Sequence, residues 1–251
     1  MAEADQGTGR RTRSTTSACR FFVVVMLLAV TGPAYGLTIL PVSGRQVVDA
    51  WAEANHGVQM DSSQDSTESL TTDPFVEIVM ASAATGGSAG SAFASQNSEV
   101  GDETVRGFGT SNASSVAPGA GANAESVGET LYLLEFEVDE PAHFQLDLQL
   151  TVASDQSLFT IASVSFSDDG VGTDFELQLP GSEQMSLVGD LVPGHVYQIL
   201  ALARSESLVP MPPALSSTGV ASFDFNLTVP EASTGLLLAL GLLVLSAARR
   251  R

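Results

Sequence analysis

The sequence predicts an all-β fold: a single antiparallel β-sandwich of jelly-roll-like build, flanked by an N-terminal signal peptide and a C-terminal membrane helix. Three observations carry that expectation. Apolar and polar residues alternate with period two over most of the stretch from Tyr132 to Val229, the pattern of strands with one buried face. Turn residues interrupt the alternation about every ten positions, as in sandwiches and barrels. Between the two termini no segment of useful length has helical period, which argues against a βαβ arrangement. The limits that follow are 1–36 for the signal peptide, 37–74 for a polar N-terminal segment, 75–229 for the sandwich and 230–251 for the tail.

The N-terminus has the three parts of a secretory signal. Arg10 to Arg20 form a positive region, Phe21 to Val30 an apolar one, and Ala34-Tyr35-Gly36 places small residues, Ala34 and Gly36, at the cleavage positions. Ten apolar residues are too few to span a bilayer, so a retained anchor is the weaker reading. Cys19 precedes the apolar run, where a lipoprotein signal would place its cysteine after it.

In the 37–74 segment, Val47-Val48-Asp49-Ala50-Trp51 fits a strand or one turn of helix. Asp61 to Glu68 spaces acids like a calcium loop but lacks the glycine and terminal glutamate of an EF-hand, so a solvated acidic linker is expected there. From Phe75 to Gly128 small residues dominate. Phe75 to Met80 reads as a strand with Val76, Ile78 and Met80 on one face, and the Gly-rich stretches around it as turns between short edge strands. Thereafter the alternation sharpens. Tyr132, Leu134, Phe136 and Val138 share one parity, and Phe144, Leu146, Leu148, Leu150 and Val152 the next inward set. Leu158 to Phe166 reads as a central strand; Phe175, Leu177 and Leu179 follow the Ser167–Gly170 turn. Pro193-Gly194 turns the chain into Val196–Ala203, and Phe223, Phe225, Leu227 and Val229 close the domain.

Val229-Pro230-Glu231 is followed by an apolar run from Gly235 to Ala248 and then by Arg249, Arg250 and Arg251. Its 14 residues would span roughly 21 Å as a helix, short of a hydrocarbon core of about 30 Å; starting at Ala232 lengthens it to 17. An apolar run closed by arginines is a membrane stop with its positive end inside the cell. The three-part order of Val229–Arg251 resembles the PEP-CTERM sorting signal, with Ala232 where the motif usually has a second proline. The resemblance implies an exported bacterial protein that enters the inner membrane transiently, is processed by an exosortase-type enzyme and reaches the cell surface or the extracellular space.

Composition narrows the function. The chain has 29 acidic residues against 10 basic ones, all of them arginine. Removing residues 1–36, with two acids and four arginines, and the three tail arginines leaves 27 acids, three arginines and a formal charge of −24. Such a surface repels nucleic acid and anionic membranes. The lone Cys19 falls in the signal, so neither a disulfide nor a catalytic thiol is expected in the mature domain.

No catalytic constellation stands out. His56, His143 and His195 share no ligand spacing with each other or with any carboxylate, and no Gly-x-Ser-x-Gly elbow occurs. Glu135 and Glu137 on one strand face read as surface charge rather than a glycosidase pair. Asp168, Asp169 and Asp174 around one turn offer the clustered oxygens calcium takes, although Asp-Gly hairpin geometry explains most of that cluster. The expectation is therefore a non-enzymatic exported protein of structural or interaction type, needing no cofactor beyond that calcium candidate and partnered by the processing enzyme and extracellular polysaccharide. The alternative is a secreted carbohydrate-binding module or hydrolase on a β-sandwich, for which Trp51, Phe108 and Phe159 are the candidate sugar platforms.

Overall fold

Long alternating runs become long strands. A computed structural model describes residues 38–119, 121–209 and 216–230. These form β1 (Ile39–His56), β2 (Gln59–Ser69), β3 (Phe75–Thr85), β4 (Ser88–Val100), β5 (Thr104–Val116), β6 (Ala122–Val138), β7 (Ala142–Asp155), β8 (Phe159–Asp168), β9 (Val171–Leu177), β10 (Gly181–Leu191), β11 (Tyr197–Val209) and β12 (Ser216–Thr228). Two six-stranded antiparallel sheets result, ordered β2-β1-β6-β11-β8-β9 in the first and β10-β7-β12-β5-β4-β3 in the second. No helix occurs among the described residues, and so none long and apolar enough to cross a membrane. The expected signal peptide and tail helix lie outside the described residues, as does the loop at Pro210–Pro213.

The sandwich starts earlier than the sequence suggested. Residues 37–74 are not a separate polar segment: β1 pairs with β6 from Ile39–Val138 to His56–Ala122, and β2 pairs along β1. The expected acidic linker, Asp61–Glu68, is most of β2. Every residue of β2 is exposed or only half-buried, so no hydrophobic period marks it. Its strand state comes from the ladder that β1 offers, which no local pattern records. The expected short edge strands of 75–128 are strands of 11 to 13 residues, of which only β3 is an edge. In β3 the buried face is Phe75, Val79, Ala81 and Ala83, while Val76, Ile78 and Met80 point outward at 60–68% exposure. β9 ends at Leu177, leaving Leu179 exposed.

Two kinds of interior lie between the sheets. One is large and aromatic: Tyr132, Phe136, Phe144, Phe166, Tyr197, Phe223 and Phe225 pack with leucines from β6, β7 and β12 and with Ile199 of β11. The other, beneath β1, β3 and β4, is mostly alanine. Small side chains bring the backbones together there. A Cβ on Gly90 would stand 2.6 Å from the Glu125 carbonyl oxygen, and one on Gly128 2.6 Å from that of Phe93. Only glycine fits such an approach. Buried polar side chains satisfy one another between the sheets. Gln96 donates to Gln46 at 3.2 Å, Thr130 to Gln96 at 3.0 Å, and Ser111 meets Ser205 at 2.9 Å.

Candidate functional site

One end of the sandwich gathers the groups of interest. The turn between β4 and β5 holds both ends of the described chain: the Ile39 N–H donates to the Asp102 carbonyl at 2.8 Å and the Val229 N–H to the Glu103 carbonyl at 2.9 Å. The Thr38 N–H donates to Asp139 Oδ1 at 2.9 Å in the β6–β7 turn. Val229 is fully buried and Pro230 exposed. The core thus closes one residue before the Pro-Glu motif, and the first residue of the sandwich is clamped beside it. Of the sorting residues, Val229 and Pro230 are described. Glu231, Arg249, Arg250 and Arg251 lie outside the described residues, as do Ala34 and Gly36 of the expected signal cleavage site.

At the same end, two turns bring His195 to Asp168 and Asp169. Asp169 and Gly170 take positive φ between β8 and β9, and Gly194 does so before β11. The Asp169 N–H donates to the Val196 carbonyl at 3.2 Å, which ties the turns together. His195 Nδ1 lies 2.9 Å from Asp168 Oδ1 and 3.8 Å from Asp169 Oδ2, and the three potential ligand atoms fall within 4.8 Å of one another. The Asp168 hydrogen bond and charge raise the His195 pKa, against a desolvation that lowers it. Asp174 does not join: it stands on β9 five residues beyond Asp169, opposite Ser165. The expected all-oxygen calcium set is therefore not assembled. An imidazole stands in its place, a donor suited to borderline metals or to proton exchange more than to calcium. No ligand spacing in the sequence joined a histidine to a carboxylate, yet the fold pairs His195 with Asp168, and His143 meets Asp190 across β7 and β10. Chain distances of 27 and 47 residues hid both pairs; the Asp-Gly and Pro-Gly turns were the available hint for the first.

Two shallow grooves lie on the outer face of the second sheet. The larger, about 510 Å³, is lined by Asp147, Gln149, Gln184, Ser186, Asp224 and Asn226. Hydrogen bonds from Gln145 hold the Asp147 carboxyl below the usual carboxylate range. The second, about 450 Å³, runs beside Pro230 along His143, Gln145, Val188 and Asp190. Glu135 on the first sheet accepts bonds from Ser43 Oγ at 2.7 Å and Gln198 Nε2 at 3.2 Å, which suits a structural charge. The aromatic candidates divide between the sheets. Trp51, Val127, Glu206 and Phe159 form one transverse row on the first, whereas Phe108 stands beside Asp224 on the second.

A folded β-sandwich that closes flush against a proline-glutamate motif, an apolar run and terminal arginines is a domain with a sorting tail. Residues 228–251 match the family model described as the PEP-CTERM protein-sorting motif. That motif implies export, processing by an exosortase-type enzyme and delivery to the cell surface or the extracellular space. No curated protein matches the chain. Among solved structures, the enzymatically active domain of tailspike protein 4 from bacteriophage CBA120 is similar at 17% identity and a TM-score of 0.22, over 55% of this chain and 19% of that one. A structure of infectious bursal disease virus, Gt strain, is similar at 10% identity and a TM-score of 0.22, over 77% and 58%. The secreted serine protease VesC from Vibrio cholerae is similar at 8% identity and a TM-score of 0.19, over 74% and 46%. The chain spans less than two thirds of each, and likenesses this slight decide neither fold nor activity.

Proposed function

We propose that this chain is an exported surface or extracellular-matrix protein of structural and interaction type, not an enzyme, whose sandwich is the mature product after an exosortase-type enzyme removes the tail. One observation carries the reading: the last core residue, Val229, directly precedes the Pro-Glu pair of the sorting motif, so removal of everything beyond it leaves each described strand intact. Cleavage falls close to Pro230-Glu231. The test is intact mass of the protein recovered outside the cell, and the Leu236–Leu245 peptide still attached to that material sinks the reading.

The larger groove favours a second reading, a carbohydrate-binding module or hydrolase. Amide and carboxylate side chains such as Gln149, Gln184, Asn226 and Asp224 are the groups that hydrogen-bond sugar hydroxyls. Its stacking surface is poor, because Phe108 is the one candidate aromatic on that sheet face. On the first reading neutral glycans bind weakly or not at all. The charge of −24 lets acidic polymers bind only through bridging cations, so chelator abolishes that binding. Tight, chelator-insensitive retention on a glycan array, lost on Asp224→Ala, puts the second reading first.

A further inference from the structure

We propose that the groove beside Pro230 is the surface on which the exosortase-type enzyme seats, so that recognition reads the folded end of the sandwich together with the linear motif. The proposal rests on the sorting reading above, and it follows from where the folded chain stops. Pro230 itself forms part of the groove, opposite Val188, whose side chain is 70% exposed. From Pro230 to Gly235, where the apolar run begins, there are five residues, at most about 17 Å of extended chain. An enzyme acting on that span while the run lies in the membrane works against the end of the sandwich. It cannot draw substrate from the N-terminal side, because β12 is a central strand zipped between β5 and β7 down to Thr228, and Val229 is buried behind it. Freeing those residues would unpair two ladders at once.

Within that end the groove is the place suited to contact. Val188 and Pro230 offer apolar surface side by side in one groove, and His143 and Asp190 pair with each other at its margin. A partner docking there desolvates apolar atoms and a paired charge, which costs far less than covering the unpaired acids around it. The fitting partner presents an apolar side chain on the outer side of the membrane next to its active site. A groove of about 450 Å³ accepts one or two such side chains.

The experiment uses the full-length precursor in cells that export and process it, following conversion to the tail-less form by pulse-chase and intact mass. Val188→Glu places a charge in the groove; Val171→Glu does the same at an 81%-exposed valine at the same end of the sandwich but outside the groove. Both positions are surface sites, and equal thermal midpoints of the two purified domains confirm intact folding. Val188→Glu is expected to slow conversion about tenfold while Val171→Glu converts at the wild-type rate. Wild-type-like conversion of Val188→Glu, or equal slowing by both variants, overturns the proposal and leaves the sorting reading standing. A wild-type precursor that is exported and never converted overturns the sorting reading, and the proposal with it.

Discussion

Tyr132 buries a hydroxyl that finds no partner among the described residues, although its ring packs 5.3 Å from that of Phe225. Burial pushes its pKa upward, the mark of a phenol cut off from water. An unsatisfied buried hydroxyl costs about 1–3 kcal/mol, so Tyr132→Phe should stabilise the domain by about 1 kcal/mol. A urea midpoint that falls instead of rising contradicts this. His195 gives a second residue-scale outcome. Its pKa is raised in the folded state, so its contribution is complete below the unfolded value of 6.5 and is lost as pH rises through the folded value. Asp168→Asn should therefore lower the thermal midpoint most between pH 5 and 6.5 and least at pH 9. A deficit that grows toward pH 9 would show that the pair is not acting through the charged imidazole.

Among the elements, β3 carries the most exposed risk. It is an edge strand with Val76, Ile78 and Met80 outward, a ready template for pairing with another chain. The neighbouring edge of the other sheet covers it: Asp65 accepts the Met80 N–H at 3.4 Å and Asp61 the Ala84 N–H at 2.9 Å. The acids that read as a solvated linker thus seal a sheet edge. Replacing both with alanine should leave the fold intact and turn the monomer into higher-order species, visible by light scattering at the same pH and salt. A strictly monomeric double variant means that the edge needs no cover. β1 yields the complementary outcome. It fills the first sheet between β2 and β6, so a fragment of residues 75–230 loses an inner strand and exposes the alanine-lined interior. Far-UV circular dichroism should show residues 38–230 as strand-rich and residues 75–230 as largely unfolded.

At the scale of the whole molecule, charge sets the balance. Each arginine among the described residues is already engaged: Arg45 with Glu68, Arg204 with Glu129 and Glu206, and Arg106 with Asn226. The remaining acids repel one another. Burial raises the pKa of Glu125, and Glu206 and Glu53 beside it raise it further. Raising sodium chloride from about 10 mM to about 0.5 M screens that repulsion and should lift the thermal midpoint by several degrees. An unchanged midpoint would mean that the acids are spaced widely enough not to matter.

How much was legible follows from what leaves a local trace. The alternation from Tyr132 to Val229 marked the strands of that stretch and the buried faces of β6, β7 and β12, because a half-buried strand must repeat every two residues, although Leu179 falls outside β9 and is exposed. The tail was legible for a similar reason: proline, glutamate, an apolar run and arginines stand next to one another in the chain. β2 left no trace, since it is held by β1's backbone, and β3's outward apolar face was misleading because small alanines filled the inside. The His195–Asp168 pair, the clamp that Asp102 and Glu103 place on Ile39 and Val229, and the groove at Pro230 join residues tens of positions apart. Such meetings depend on strand order across two sheets, a long-range property that short-range patterns do not carry. The sequence by itself determined that the chain is β-structured, acidic and marked for export; only the tertiary structure decided that the Pro-Glu pair follows directly on the last core residue, because Val229 is buried in a cluster assembled from strands far apart in the chain, Ile39 of β1 among them.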